Sequence, residues 1–187
     1  MVSRDSYLNR LIRHRQNGEI KVITGIRRCG KSVLLFDLFY EYLLSQGVSD
    51  DHIIKIGLDQ RRFYKFRNPI TLCEYVESVV QEKANEQFYL FIDEVQLTTK
   101  VIDKENGGIE VTIYDMLNEL KAYKNLDVYV TGSNQKVCPR ILQQNFEAEP
   151  HRFMYFRFLL QNFTPMWAVM NVRRWIPICF TAVCPGC

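Results

Sequence analysis

Gly25 to Ser32 reads Gly-Ile-Arg-Arg-Cys-Gly-Lys-Ser. That is the GxxxxGK[ST] spacing of a phosphate-binding loop, the Walker A or P-loop pattern. The chemistry follows from the residue types. Glycines let a loop turn its backbone N–H groups inward around phosphate oxygens, and a helix starting at once points its positive end at the same anion. Lys31 would neutralise the outer phosphates, and Ser32 would present its hydroxyl to Mg²⁺. The expected nucleotide contacts are Gly25, Ile26, Arg27, Arg28, Cys29, Gly30, Lys31, Ser32 and Val33. Arg27 and Arg28 could touch phosphate, although residues between the glycines usually point outward. Cys29 reads as a tolerated small residue rather than a redox switch. An ordinary strand-to-helix turn would explain the glycines but not why Lys31 and Ser32 follow Gly30.

Such a loop needs a carboxylate partner for the metal at the end of a buried strand. Phe88 to Glu94, FYLFIDE, supplies Asp93 and Glu94 there. Asp93 would hold Mg²⁺ through water, the Walker B role. Glu94 would polarise an attacking water as general base. Two charges also occur where any strand runs into solvent, but an upstream phosphate loop favours the functional reading. A third polar exit, Thr131-Gly132-Ser133-Asn134, could set a side chain near the γ-phosphate. Asn134 is the first choice for that sensor and Ser133 the second; a plain polar strand exit fits nearly as well.

The elements that must position these residues are legible in the hydrophobic pattern. Lys21–Ile26 is a short β-branched run. Ser32–Leu44 has apolar residues at helical spacing. Ser6–Gln16 reads as a preceding helix with Leu8, Leu11 and Ile12 on one side, ended by Asn17-Gly18. The helix after the loop should stop near Gln46-Gly47. His52–Asp59 is a second strand, apolar through its middle, as in a parallel sheet covered on both faces. Gln60–Pro69 is polar and basic, hence a loop. Thr71 and Glu74 match a capping box opening a helix that runs to about Ala84. Phe88–Val95 is the third strand and Leu97–Ile109 a polar loop. Thr112–Tyr123 is a helix with Ile113, Met116, Leu117 and Leu120 inward, and Asp127–Asn134 is the fourth strand. Strands alternating with helices predict βαβ units and a parallel sheet.

Composition adds bounds. A chain of 187 residues with 47% hydrophobic and 24% charged residues is long enough for one α/β domain with a sizeable core. A net charge of +3 does not by itself argue for nucleic acid. The basic excess is local: Arg4, Arg10, Arg13, Arg15, Lys21, Arg27 and Arg28 crowd the start. A solvated face beside a phosphate site explains that cluster better than DNA or RNA contact does. The first ten residues lack the apolar core of a signal peptide, and no stretch suits a membrane span, so a cytoplasmic location without membrane contact is expected. Cys29 and Cys73 are expected to be reduced thiols.

GIRRCGKS, YLFIDEVQ and VYVTGSN together resemble the AAA-type P-loop ATPases of bacteria and archaea. The resemblance is to a group whose ATPase domain is followed by a nuclease-like C-terminal domain. It covers residues 1–134. It implies ATP binding and Mg²⁺-dependent hydrolysis, with Lys31, Ser32, Asp93 and Glu94 in the roles derived above. It also implies a three-layer α/β/α sandwich whose fourth strand is inserted between the Walker A and Walker B strands. No base-reading motif separates ATP from GTP. Members commonly complete the site with an arginine from a neighbouring copy.

After Asn134 the character changes. Both tryptophans and four of the six cysteines lie there, no acidic residue follows Glu149, and no lysine follows Lys136. The resemblance implies a short helix, a fifth strand and the partner arginine in this region, and the residues show none of them. One base lost after the Asn134 codon accounts for the change. Read from the third base of each codon, Met166-Trp167 must give Val, Trp167-Ala168 Gly, Met170-Asn171 Glu and Trp175-Ile176 Asp. All four fit one charged, continuous sequence of the kind the family carries. Residues 135–187 are therefore expected to be an aberrant, poorly ordered tail. A zinc site from Cys179, Cys184 and Cys187 lacks a second ligand cluster at ordered spacing. A membrane-surface role for 153–172 is broken by Arg157, Gln161 and Asn162. The sheet is then expected to be incomplete on its C-terminal side, with the P-loop strand an exposed edge prone to self-association. Three functions stay open: an ATPase, a nucleotide- or nucleic-acid-binding module without turnover, or the remnant of a broken ATPase gene.

Overall fold

A computed structural model describes residues 5–104 and 107–133, together with the backbone of 153–158. Helix α1 (Asp5–Arg13) leads into strand β1 (Ile20–Gly25). Helix α2 (Lys31–Val33) continues through a π-helical stretch, Leu34–Phe39, into α3 (Tyr40–Ser45). Then come β2 (Ile53–Gly57), α4 (Pro69–Glu82), β3 (Phe88–Asp93), β4 (Val101–Asp103), β5 (Ile109–Val111), α5 (Ile113–Leu120), β6 (Leu126–Ser133) and β7 (Phe153–Phe158).

The main sheet has the order β2-β3-β6-β1-β7, and every pairing in it is parallel. As the resemblance implies, β6 lies between β1 and β3. Alternation along the strands builds two cores. Phe88, Leu90 and Ile92 of β3 join Val22, Ile54, Ile56, Val128 and Val130 beneath α4 and α5. Tyr89 and Phe91, pointing the other way, join Ile23 and Tyr129 against Leu11 of α1 and Leu34, Leu35, Phe39 and Leu43. Strands dry on both faces need helices on both faces, which is why the central runs carry almost no alternation with polar residues.

Four details differ from the expectations. The P-loop strand is not an edge. β7 pairs with β1 from Ile20↔Phe153 to Gly25↔Phe158, so the sheet gains a fifth strand after Asn134 and the bare-edge argument for self-association falls. Pattern reading missed it because HRFMYFRF alternates little and sits in an irregular stretch. Helix α4 starts at Pro69, not at Thr71. Asn68 is its cap, accepting the Ile70 N–H at 3.0 Å, and Pro69 supplies a preset φ where no N–H is needed. The basic stretch after β2 is not open loop but a 3₁₀ segment, Arg61–Arg67. Within the loop after β3, β4 and β5 form an antiparallel hairpin with Val101 opposite Val111. Gly107 and Gly108 take positive φ near its turn, which side chains resist. Thr112 precedes α5 as expected of its start: its N–H and hydroxyl donate to Asp115 at 2.8 and 2.5 Å.

Candidate phosphate and metal site

β1 ends in the glycine-bounded loop, and the loop's shape is set by two residues in the left-handed region, Arg28 (φ 64°) and Gly30 (φ 94°). Gly30 tolerates that geometry freely; its carbonyl accepts the Leu34 N–H at 2.9 Å and so opens the helix. Ile26, Arg27 and Arg28 are exposed, in keeping with loop residues that point outward. Cys29 is buried in the core under α1 and the π segment. It is a packing residue that anchors the loop, and both Cys29 and Cys73 are free thiols. Lys31 is buried, and its Nζ donates to the carbonyls of Gly25 at 3.2 Å and Ile26 at 3.1 Å. Those bonds hold the ammonium across the loop. Ser32 and Val33 are exposed at the start of the helix.

The register of the sheet brings the second element alongside. Gly25 of β1 lies opposite Ser133 of β6, and Ile92 of β3 lies opposite Val130. The C-terminal ends of β1, β6 and β3 therefore stand together, where ligands bind in open parallel sheets. Asp93 is buried at the end of β3, and the Thr131 hydroxyl donates to its Oδ1. The same Thr131 oxygen accepts the Glu94 N–H at 3.2 Å. Glu94 sits in the left-handed region (φ 55°), so the backbone turns sharply between the two carboxylates. The Gln96 amide donates to the Glu94 carboxylate, while Gln96 Oε1 is buried without a partner.

The site thus places Lys31 beyond the end of β1 and Asp93 and Glu94 at the end of β3, on either side of β6. Asn134, the first choice for a sensor, lies outside the described residues, as do Cys138, Cys179, Cys184 and Cys187. The residue the sequence reading missed is Thr131, which bridges Asp93 and the Glu94 backbone. Its signal was present: a hydroxyl at a fully buried strand position, in phase with Tyr129, has to find a polar partner. The residues suit a divalent ion bound with phosphate, because the buried Asp93 carboxylate is met by the Thr131 hydroxyl and a carboxylate oxygen is a ligand that Mg²⁺ favours.

A second buried polar cluster lies at the opposite end of the sheet. Lys21 and Asp127 form an ion pair, both almost fully buried. Asp127 Oδ2 also accepts the Gln16 N–H at 2.9 Å and the Tyr129 hydroxyl at 2.8 Å. Burial lowers the Lys21 ammonium below its ordinary value, with Asp127 opposing, and raises the Tyr129 phenol well above its own. Lys21 therefore cannot belong to an exposed N-terminal basic surface.

Among the described residues no helix is long and apolar enough to cross a membrane. A family model described as "AAA domain" matches residues 17–164, running past Asn134 and through β7. An uncharacterized protein of Haemophilus influenzae is 31% identical over 137 residues, which are 72% of this chain and 30% of that protein. The chain thus spans under a third of that relative's length. Among solved structures, Drosophila ORC bound to DNA superposes with a TM-score of 0.52 at 10% identity, over 82% of this chain and 88% of that one. C. elegans PCH-2 does so with a TM-score of 0.50 at 14% identity, over 82% and 40%. These likenesses show the α/β fold. With the family match over most of its length and β6 inserted between β1 and β3, the chain belongs to the AAA-domain family of ATPase-like proteins.

Proposed function

We propose that this domain binds ATP with Mg²⁺ and hydrolyses it to ADP and phosphate. What supports the reading is that the end of β1, which leads into Lys31, and the end of β3, which carries Asp93 and Glu94, flank β6, whose Thr131 bonds both Asp93 and the Glu94 backbone. Lys31 and the loop N–H groups would hold the phosphates, and Ser32 and Asp93 would hold Mg²⁺. When bound, the metal would screen the phosphate charge. The Thr131 hydroxyl, bonded to Asp93 Oδ1, would orient the carboxylate and leave Oδ2 for the metal. Glu94 would take the proton of the attacking water, and its left-handed backbone turn sets the carboxylate apart from Asp93. Catalysis by these groups is positioning and charge stabilisation.

A second reading, nucleotide binding without turnover, is favoured by one contact: the Gln96 amide holds the Glu94 carboxylate. The aberrant-tail reading of residues 135–187 stands as a separate proposal, decided by sequencing the gene. Calorimetry with Mg-ATP on the full chain tests the main reading, with Lys31→Ala as control. Binding that the control loses supports it, and no binding by a folded sample refutes it. Glu94→Gln then separates the two readings. It should abolish phosphate release while sparing ATP affinity; a wild type that binds and never turns over selects the second.

A further inference from the structure

The 3₁₀ segment Arg61–Arg67 is long for its type, since such runs rarely exceed three or four residues. Three residues per turn sort its side chains into three columns. Phe63 and Phe66 form the first and face the core, Phe66 buried and Phe63 packed against the cluster beneath α4. Arg61, Tyr64 and Arg67 form the second, Arg62 and Lys65 the third. Arg61, Arg62, Tyr64 and Lys65 are all exposed. No carboxylate occurs between Asp59 and Glu74, so the four cations of this stretch have no acidic residue among them.

The tyrosine is held. The Arg67 guanidinium lies 3.9 Å from the centre of its ring, and Arg67 Nε donates to the Leu58 carbonyl at 2.9 Å. The Arg67 carbonyl in turn accepts the Thr99 N–H at 2.8 Å and the Thr99 hydroxyl at 3.2 Å. One face of the Tyr64 ring is thereby occupied by a fixed cation, and the residue remains 49% exposed. The cation–π contact orders the ring, which adds nothing to the core and is left half exposed beside cations.

We propose that Arg61–Arg67 is a binding surface for single-stranded nucleic acid, with Arg61, Arg62 and Lys65 meeting phosphates and Tyr64 stacking on a base. Acidic peptides and anionic lipid surfaces would use the charges but have no use for a pinned, open ring. Duplexes bury their base faces, whereas a single strand presents them for stacking.

The test is fluorescence anisotropy of a labelled oligothymidylate with the full chain, without ATP or Mg²⁺, so its outcome does not depend on the hydrolysis reading. Three phosphate contacts predict a slope of about −2 for log K against log salt on a single strand. The triple variant R61Q/R62Q/K65Q should lose binding, and the charge-retaining double variant R61K/R62K should keep it. Tyr64→Ala should weaken binding about tenfold with the slope unchanged, and Tyr64→Phe should restore it. Circular dichroism spectra matching wild type keep these results apart from misfolding. Full-strength binding by the triple Gln variant or by Tyr64→Ala overturns the proposal. So does equal affinity for a duplex of the same length. Displacement by pyrophosphate also overturns it, because the strand would then occupy the Gly25–Ser32 loop.

Discussion

Replacing Asp127 with Asn should destabilise the fold by about 3–4 kcal/mol, because a buried ion pair is costly to break on one side only. Lys21 is fully buried and Asp127 is 3% exposed. An asparagine can still accept from the Gln16 N–H and the Tyr129 hydroxyl, which share Oδ2 in the native pair. Its amide then faces the Lys21 ammonium, donor against donor. Lys21→Met should cost less, about 2 kcal/mol, because the carboxylate left behind keeps two donors. The double variant K21M/D127N should lie well below the sum, with a coupling of about 2 kcal/mol or more. A domain of this size has only about 5–15 kcal/mol to lose, so urea unfolding followed by circular dichroism will resolve all three. A pH series adds a signed test. Burial already lowers Lys21 below its ordinary 10.5, and Asp127 opposes that shift. Without Asp127 the folded-state value falls further while the unfolded value stays. Between the two, the unfolded chain carries one more proton, so the stability of D127N must rise with pH, by up to about 1.4 kcal/mol per unit. A loss under about 1 kcal/mol for D127N, or additive single variants, would refute the reasoning.

Other outcomes follow from single contacts. Thr131→Val removes the hydroxyl that orients Asp93 and accepts the Glu94 N–H; phosphate release should fall about 10- to 100-fold, as is usual for residues that orient metal ligands, and the melting temperature should fall too, because a buried carboxylate and an N–H lose this partner at a cost of about 1–3 kcal/mol. The Cys73 thiol is pushed up to about 12, mainly by burial and further by Glu77 and Glu119. Above its ordinary 9.0 the unfolded chain ionises first, so stability should fall with pH from there towards 12, and Cys73→Ala should flatten that limb in urea unfolding. Asp51 is held down to about 2 by the Ser49 hydroxyl and the Lys83 ammonium. Its small stabilisation is complete above its ordinary 3.8 and is lost as pH falls to about 2; thermal melts of Asp51→Asn should show a shallower acid limb.

The local sequence by itself determined the strand-loop-helix around Lys31 and the acidic end of β3, whereas the place of β6 between β1 and β3 was implied only by the family resemblance. Those features rest on short-range chemistry: glycine at a positive φ, apolar runs too dry for an exposed strand, and charges placed where a buried run ends. Boundaries shifted where two signals competed, as at Asn68-Pro69, which caps α4 ahead of the Thr71–Glu74 match. Tertiary structure alone decided the rest. Thr131 meets Asp93 only through the register of β6 with β3, and 38 residues of chain separate them. Lys21 looks like one more surface cation until Asp127, 106 residues away, is seen to bury with it. Arg61–Arg67 reads as a polar loop until its three-residue turn sends two phenylalanines inward and leaves the cations and Tyr64 outside. The fifth strand is the plainest case: β7 has little pattern of its own, and the unpaired edge of β1 supplies the hydrogen bonds that make it a strand.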